Sequence, residues 1–117
     1  YSGDTSVSEN VLSNAKDADI LIHEVIAMSD KIYEKNKKIR DVAATHTTVK
    51  QLISILKKTK PKLTILNHAL LFGVSEKSVL EKIKKDYKGE VIFSYDLMSL
   101  DVGKEINIFN LGVTNGK

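Results

Sequence analysis

The sequence predicts an α/β fold in which helices cover a sheet, and three observations carry that reading. Short apolar runs at residues 20–22 and 63–66 alternate with segments whose apolar residues recur at helical spacing. Both runs stop at polar pairs, His23 with Glu24 and Asn67 with His68. A run that is apolar on every residue suits a strand buried on both faces, and strands alternating with helices build sheets covered by those helices.

The elements follow in chain order. Ser8 is placed to cap a short helix whose apolar stripe is Val11, Leu12 and Ala15, before a turn at Asp17. Ile20, Leu21 and Ile22 then form a buried strand that ends at His23 and Glu24. Over residues 27–44, Ile32, Tyr33, Ile39 and Val42 suggest a helix with a polar, lysine-rich middle, and its ends carry no clear signal. Thr47 or Thr48 caps the clearest helix, in which Val49, Leu52, Ile53 and Leu56 fall at i, i+3, i+4 and i+7. Pro61, the only proline, separates it from the strand at 63–66. Ser75 opens another amphipathic helix with Val79, Leu80, Ile83 and Tyr87, and Gly89 stands just past its end. Strands follow at 90–94, 97–102 and 105–109, with a tight connection at Gly103. Residues 1–111 make one domain and 112–117 a frayed tail.

Bulk composition agrees with one modest core, since the chain has 117 residues and 42% hydrophobic content. Eighteen Lys and Arg against fifteen Asp and Glu leave a net charge of +3, too small a difference to mark a dedicated nucleic-acid binder. The lysine clusters at 35–38, 57–62 and 82–88 read as solvated faces and carboxy-terminal turns of helices, where positive charge complements the macrodipole. The absence of cysteine excludes disulfides and thiolate metal sites, so a metal would have to bind through oxygen and imidazole. No run approaches the ~18 apolar residues of a membrane-spanning helix.

Polar residues punctuate the pattern about one strand–helix unit apart: Asp4, then His23 with Glu24, then His46, then His68. In open α/β sheets the ligand crevice lies outside the carboxyl ends of the strands, so residues at those ends converge although distant in sequence. Histidine and aspartate are natural ligands of zinc, which lowers the pKa of a bound water to about 7. Taken singly, each residue has a plainer use. Asp4 suits a turn or helix cap and Glu24 a solvated rim carboxylate. His46 could share in capping the next helix, and His68 could be a packed histidine at the edge of the core. His23 reads as a hydrogen-bonded strand-end residue that orients a ligand or a neighbouring loop.

Together these segments resemble a known family. Tyr1 to Thr5 with Ser8, Glu9 and Asn10 resembles the Tyr-Ser-Gly-Asp-Thr segment and following helix of metallo-β-lactamase-fold hydrolases, in the branch of ribonuclease Z and the arylsulfatase- or phosphodiesterase-like members. Ile20 to Glu24 resembles the branch's strand ending in His-Glu. His46, Thr47 and Thr48 resemble its His-Thr-Thr motif, and Leu66, Asn67 and His68 its last histidine-bearing strand. The resemblance runs in order from Tyr1 to about Asp101.

The resemblance implies a four-layer αββα sandwich, with this chain as its carboxy-terminal half. It implies that Asp4 bridges two divalent metal ions, zinc first with manganese or iron as alternatives, and that His68 completes the coordination of one. Glu24 and His46 look like the catalytic pair that supports transition-state charge and protonates the leaving group. The reaction implied is attack of metal-bound hydroxide on a phosphodiester or related ester. Where ribonuclease Z members usually have Ala-Thr after His-Glu this chain has Val25 and Ile26, and Ala69 to Gly73 lean toward the arylsulfatase- or phosphodiesterase-like members. A small ester or phosphodiester is therefore the expected substrate ahead of nucleic acid. The family's His-x-His-x-Asp-His motif, source of most of its metal ligands, does not occur in these residues. The expectation is a fragment or cleaved product, inactive alone, whose partner is the missing amino-terminal half or a second copy of the chain. The rival is a non-catalytic α/β binding module that contacts RNA or a protein partner through its lysine-rich helices.

Overall fold

A computed structural model describes residues 1–110; the expected frayed tail at 112–117 lies outside them. In order the elements are α1 (Glu9–Asn14), β1 (Ile20–Met28), α2 (Asp30–Lys35), α3 (Lys37–Ala43), α4 (Val49–Thr59), β2 (Leu63–Phe72), α5 (Glu76–Asp86), β3 (Glu90–Phe93), β4 (Met98–Val102) and β5 (Ile106–Asn110). β1, β2 and β3 form one parallel sheet in that order, and β4 with β5 forms a separate antiparallel hairpin. The α/β expectation holds.

The core lies between this sheet and its helices. Register pairs Leu21 with Thr64, His23 with Leu66, Thr64 with Val91 and Leu66 with Phe93, so these side chains share one face. Against that face pack Leu52 and Leu56 of α4 and Val79 and Ile83 of α5, all buried. Their i, i+4 spacing puts each pair on one helix face, and each buried Leu or Ile contributes about 1.5–3 kcal/mol relative to exposure. Thr48 starts α4 with a capping box shared with Gln51, and Ser75 starts α5 with one shared with Ser78.

Several boundaries differ from the sequence expectation. β1 does not end at His23 and Glu24 but runs on to Met28, and β2 passes Asn67 and His68 to reach Phe72. The polar residues sit inside the strands because a β-bulge accommodates them: His23 pairs with Leu66 and Val25 with Ala69, so one residue on β1 faces two on β2. Residues 27–44 complete β1 and then form two short helices, because Asn36 ends α2 and caps α3 through its side chain. Gly89 does not supply a left-handed stop. α5 ends at Tyr87 in extended conformation, and Gly89 is small because the Tyr87 ring occupies the space a Cβ would need.

Candidate active site

The bulge gathers the candidate residues. β1 alternates regularly, so Leu21, His23 and Val25 point toward the helices while Glu24 points to the opposite face. Opposite Glu24 stand Asn67 and His68. His68 adopts φ +50°, the left-handed region that non-glycine residues seldom enter. That conformation takes up the extra residue of β2.

Two further segments close on the outer edge of β1. The Ser2 N–H donates to the Ile22 carbonyl at 2.9 Å, laying residues 1–5 beside the strand. The Ile26 N–H donates to the Thr47 carbonyl at 2.8 Å, fixing the loop that ends in α4. The Thr47 hydroxyl then donates to the Thr5 carbonyl at 2.7 Å, tying one segment to the other. Asp4 and His46 ride on these two segments.

Glu24 is the hub, and at 2% exposure it is no solvated rim carboxylate. It accepts from the Thr5 N–H at 2.5 Å, from the Thr47 N–H at 3.2 Å and from His46 Nδ1 at 2.8 Å. An ionised carboxylate can only accept, so in all three bonds Glu24 is the acceptor and His46 carries its proton on Nδ1. His46 does not cap α4, a task that belongs to Thr48; it is oriented by Glu24 instead. The rings of His46 and His68 lie 5.7 Å apart between centroids.

His68 is not packed into the core edge. It is 41% exposed and its Nε2 stands 3.5 Å from Asp4 Oδ2, with Asp4 58% exposed. That separation is long for a hydrogen bond but close to the edge of a tetrahedron with metal–ligand bonds of about 2.0–2.2 Å. The pair fits one edge of a zinc-type site by donor chemistry and spacing. It does not make a whole site, because among the described residues no group of three or more His, Cys, Asp or Glu could hold a metal ion.

His23 lies beneath the others at 1% exposure, with Nδ1 2.8 Å from the Glu24 carbonyl. Burial lowers its pKa, outweighing the opposing pull of the Glu24 carbonyl and charge. Thr5 and Thr47 are the site residues that sequence reasoning passed over. The signal for Thr47 was the Thr-Thr pair at 47 and 48, of which a helix cap uses only one; Thr5 carried no separate signal.

The chain resembles known proteins in sequence and in fold. No family model matches it. Ribonuclease Z of Haloarcula marismortui is 25% identical over 99 residues, covering 84% of this chain and 30% of that protein. Ribonuclease Z of Archaeoglobus fulgidus is 28% identical over 103 residues, covering 87% and 31% respectively. The Methanosarcina acetivorans ribonuclease Z is 28% identical over 102 residues, covering 87% and 32%. Among solved structures, the metallo-β-lactamase fold protein YhfI of Bacillus subtilis superimposes with a TM-score of 0.59 at 23% identity, over 79% of this chain and 34% of that one. The chain thus spans about a third of the length of the curated relatives it matches. In sequence, then, the chain is similar to part of the archaeal ribonuclease Z proteins, and in architecture it carries part of a metallo-β-lactamase fold.

Proposed function

We propose that the complete protein is a metal-dependent hydrolase of phosphodiesters, to which this chain contributes Asp4, Glu24, His46 and His68. One observation carries the reading: four segments distant in sequence meet at one bulge, with Glu24 on His46 at 2.8 Å and Asp4 beside His68 at 3.5 Å. The ribonuclease name of the relatives points to the phosphodiester as the bond class, which RNA shares with small diesters.

Asp4 and His68 would hold one edge of the metal site, with the remaining ligands supplied from outside these residues. When bound, the metal would lower the pKa of a water to near neutrality and so supply the nucleophile. Glu24 keeps the His46 proton on Nδ1 and stabilises the imidazolium when the ring takes a second proton on Nε2. His46 Nε2 would then deliver that proton to the leaving oxygen. Asp4→Ala in the full-length protein tests the reading, assayed with bis(p-nitrophenyl) phosphate and with RNA. Loss of both bound metal and hydrolysis is expected; full hydrolysis by the variant would overturn the proposal. The chain alone is expected to bind zinc poorly and to be inactive.

A second reading is a lysine-lined binding module. Lys50, Lys57 and Lys58 of α4 and Lys82 and Lys85 of α5 border one groove floored by Val49 and Ile53. RNA binding that falls steeply with salt and survives metal chelation, without hydrolysis, would favour this reading over the first.

A further inference from the structure

We infer that His23 is a positioning residue: from the helix side of the sheet, its imidazole clamps the Glu24 carbonyl and so holds the bulge that aims Glu24 at His46. The functional part of this inference rests on the hydrolase reading, whereas the structural part does not.

The bond itself sets the tautomer. Nδ1 lies 2.8 Å from a carbonyl oxygen, which can only accept, so Nδ1 carries the proton. Nε2 is then a bare lone pair, buried and without a hydrogen-bond partner among the described residues. An unpaired buried acceptor is destabilising, and so is an imidazole in the place of a hydrophobe on the core face. A side chain chosen for packing alone would be apolar, as Leu21, Val25 and Ala27 are on the same face of β1. The polar ring at this position makes sense for the bond it donates.

What that bond governs follows from place. Glu24 lies between Ile22, whose carbonyl takes the Ser2 N–H, and Ile26, whose N–H binds the Thr47 carbonyl. Its carboxylate meets Thr5, Thr47 and His46 on the far face of the sheet. Across the bulge, β2 spends two residues against this one, and one of the two is the positive-φ His68. A shift of the Glu24 peptide would move the carboxylate relative to His46 and relax the backbone that presents His68. Misplacement of about 1 Å can cost on the order of 10²-fold in rate. His23 touches no reacting group and acts wholly through Glu24.

The test uses the full-length protein and two substitutions. Asn keeps an N–H at the Nδ1 position, and Leu removes it while filling the space. With bis(p-nitrophenyl) phosphate, His23→Leu is expected to lower kcat at least about tenfold with little change in KM, and His23→Asn to restore most of it. Equal kcat for His23→Leu and wild type would overturn the positioning role. So would a Leu defect that Asn fails to rescue although both variants fold, judged by circular dichroism. Nitrogen-15 NMR of the imidazoles reads the structural part without any activity: His23 is expected neutral with its proton on Nδ1 at neutral pH. A proton on Nε2 alone would refute the clamp. An intact tautomer in a protein that hydrolyses no diester would refute the hydrolase reading and leave the clamp standing.

Discussion

Glu24 Oε1 lies 2.8 Å from His46 Nδ1, and the same carboxylate also accepts from the backbone N–H groups of Thr5 and Thr47. One buried carboxylate therefore fixes a histidine tautomer and joins two loops. The proposed catalytic role and the structural one meet in the same side chain, and the consequences of altering it can be separated.

Glu24→Gln keeps the shape but turns an NH2 group toward donors. At least one of the three partners loses its acceptor, so the variant is expected to be less stable by about 1–3 kcal/mol in urea unfolding. In the proposed hydrolysis it is expected to lose about 10²–10⁴-fold in kcat, with KM nearly unchanged, because the His46 proton is no longer held in place. His46→Ala should lose a similar factor with a smaller cost in stability. Activity surviving in both variants would remove this pair from the mechanism.

Asp4 and His68 predict the opposite balance. Both are substantially exposed, so Asp4→Ala and His68→Ala are expected to leave the unfolding midpoint of the metal-free protein within about 0.5 kcal/mol of wild type. Metal content measured by mass spectrometry on the full-length protein is expected to fall in both. Retention of the full metal complement by either variant would exclude that residue as a ligand.

His23 links stability to pH. Its folded pKa lies below the ordinary 6.5, chiefly because burial penalises the charged ring. The unfolded chain therefore binds the proton more readily than the folded one. The contribution is complete above pH about 6.5 and is lost as pH falls from there toward the folded value. His23→Asn, with nothing to titrate, is expected to show a shallower loss of melting temperature between pH 7.5 and pH 5.5. An unchanged slope would mean that other groups govern the acid limb.

Gly73 adopts φ +70°, and a Cβ there would come within 2.8 Å of Ile32 Cδ1 and 2.9 Å of Ser29 Oγ. The turn that carries the chain out of β2 thus needs glycine for conformation and for space. Gly73→Ala is expected to destabilise by about 1–2 kcal/mol, measured by chemical denaturation.

Exposed apolar side chains suggest that the chain associates. Leu97, Val102 and Phe109, in and beside the β4–β5 hairpin, are all more than half exposed at 65%, 55% and 51%. Light scattering coupled to size exclusion is expected to find this chain self-associating, and Leu97→Lys with Val102→Lys is expected to reduce it. A clean monomer would argue against a partner surface there.

The amphipathic helices and the alternating order of elements were legible in the sequence because they depend on local spacing. Val49, Leu52 and Leu56 place α4, and Thr48 marks its start, without reference to the rest of the chain. The lengths of β1 and β2 were not legible, since His23, Glu24, Asn67 and His68 look like strand ends to any reading based on polarity. Glu24, Asn67 and His68 are tolerated inside strands because a bulge takes them out of the ladder, while His23 stays paired with Leu66 and bonds the Glu24 carbonyl; a bulge is a property of two strands in register.

By itself, then, the sequence determined the fold class, the starts of α4 and α5, and the four residues, Asp4, Glu24, His46 and His68, whose order resembles a hydrolase family. Tertiary structure alone decided that Glu24 is buried, that Thr5 and Thr47 close on it, and that Asp4 comes within 3.5 Å of His68. The physical reason is range. Helical periodicity and caps are settled within a few residues, whereas this site is made by hydrogen bonds between groups 19 to 42 positions apart along the chain.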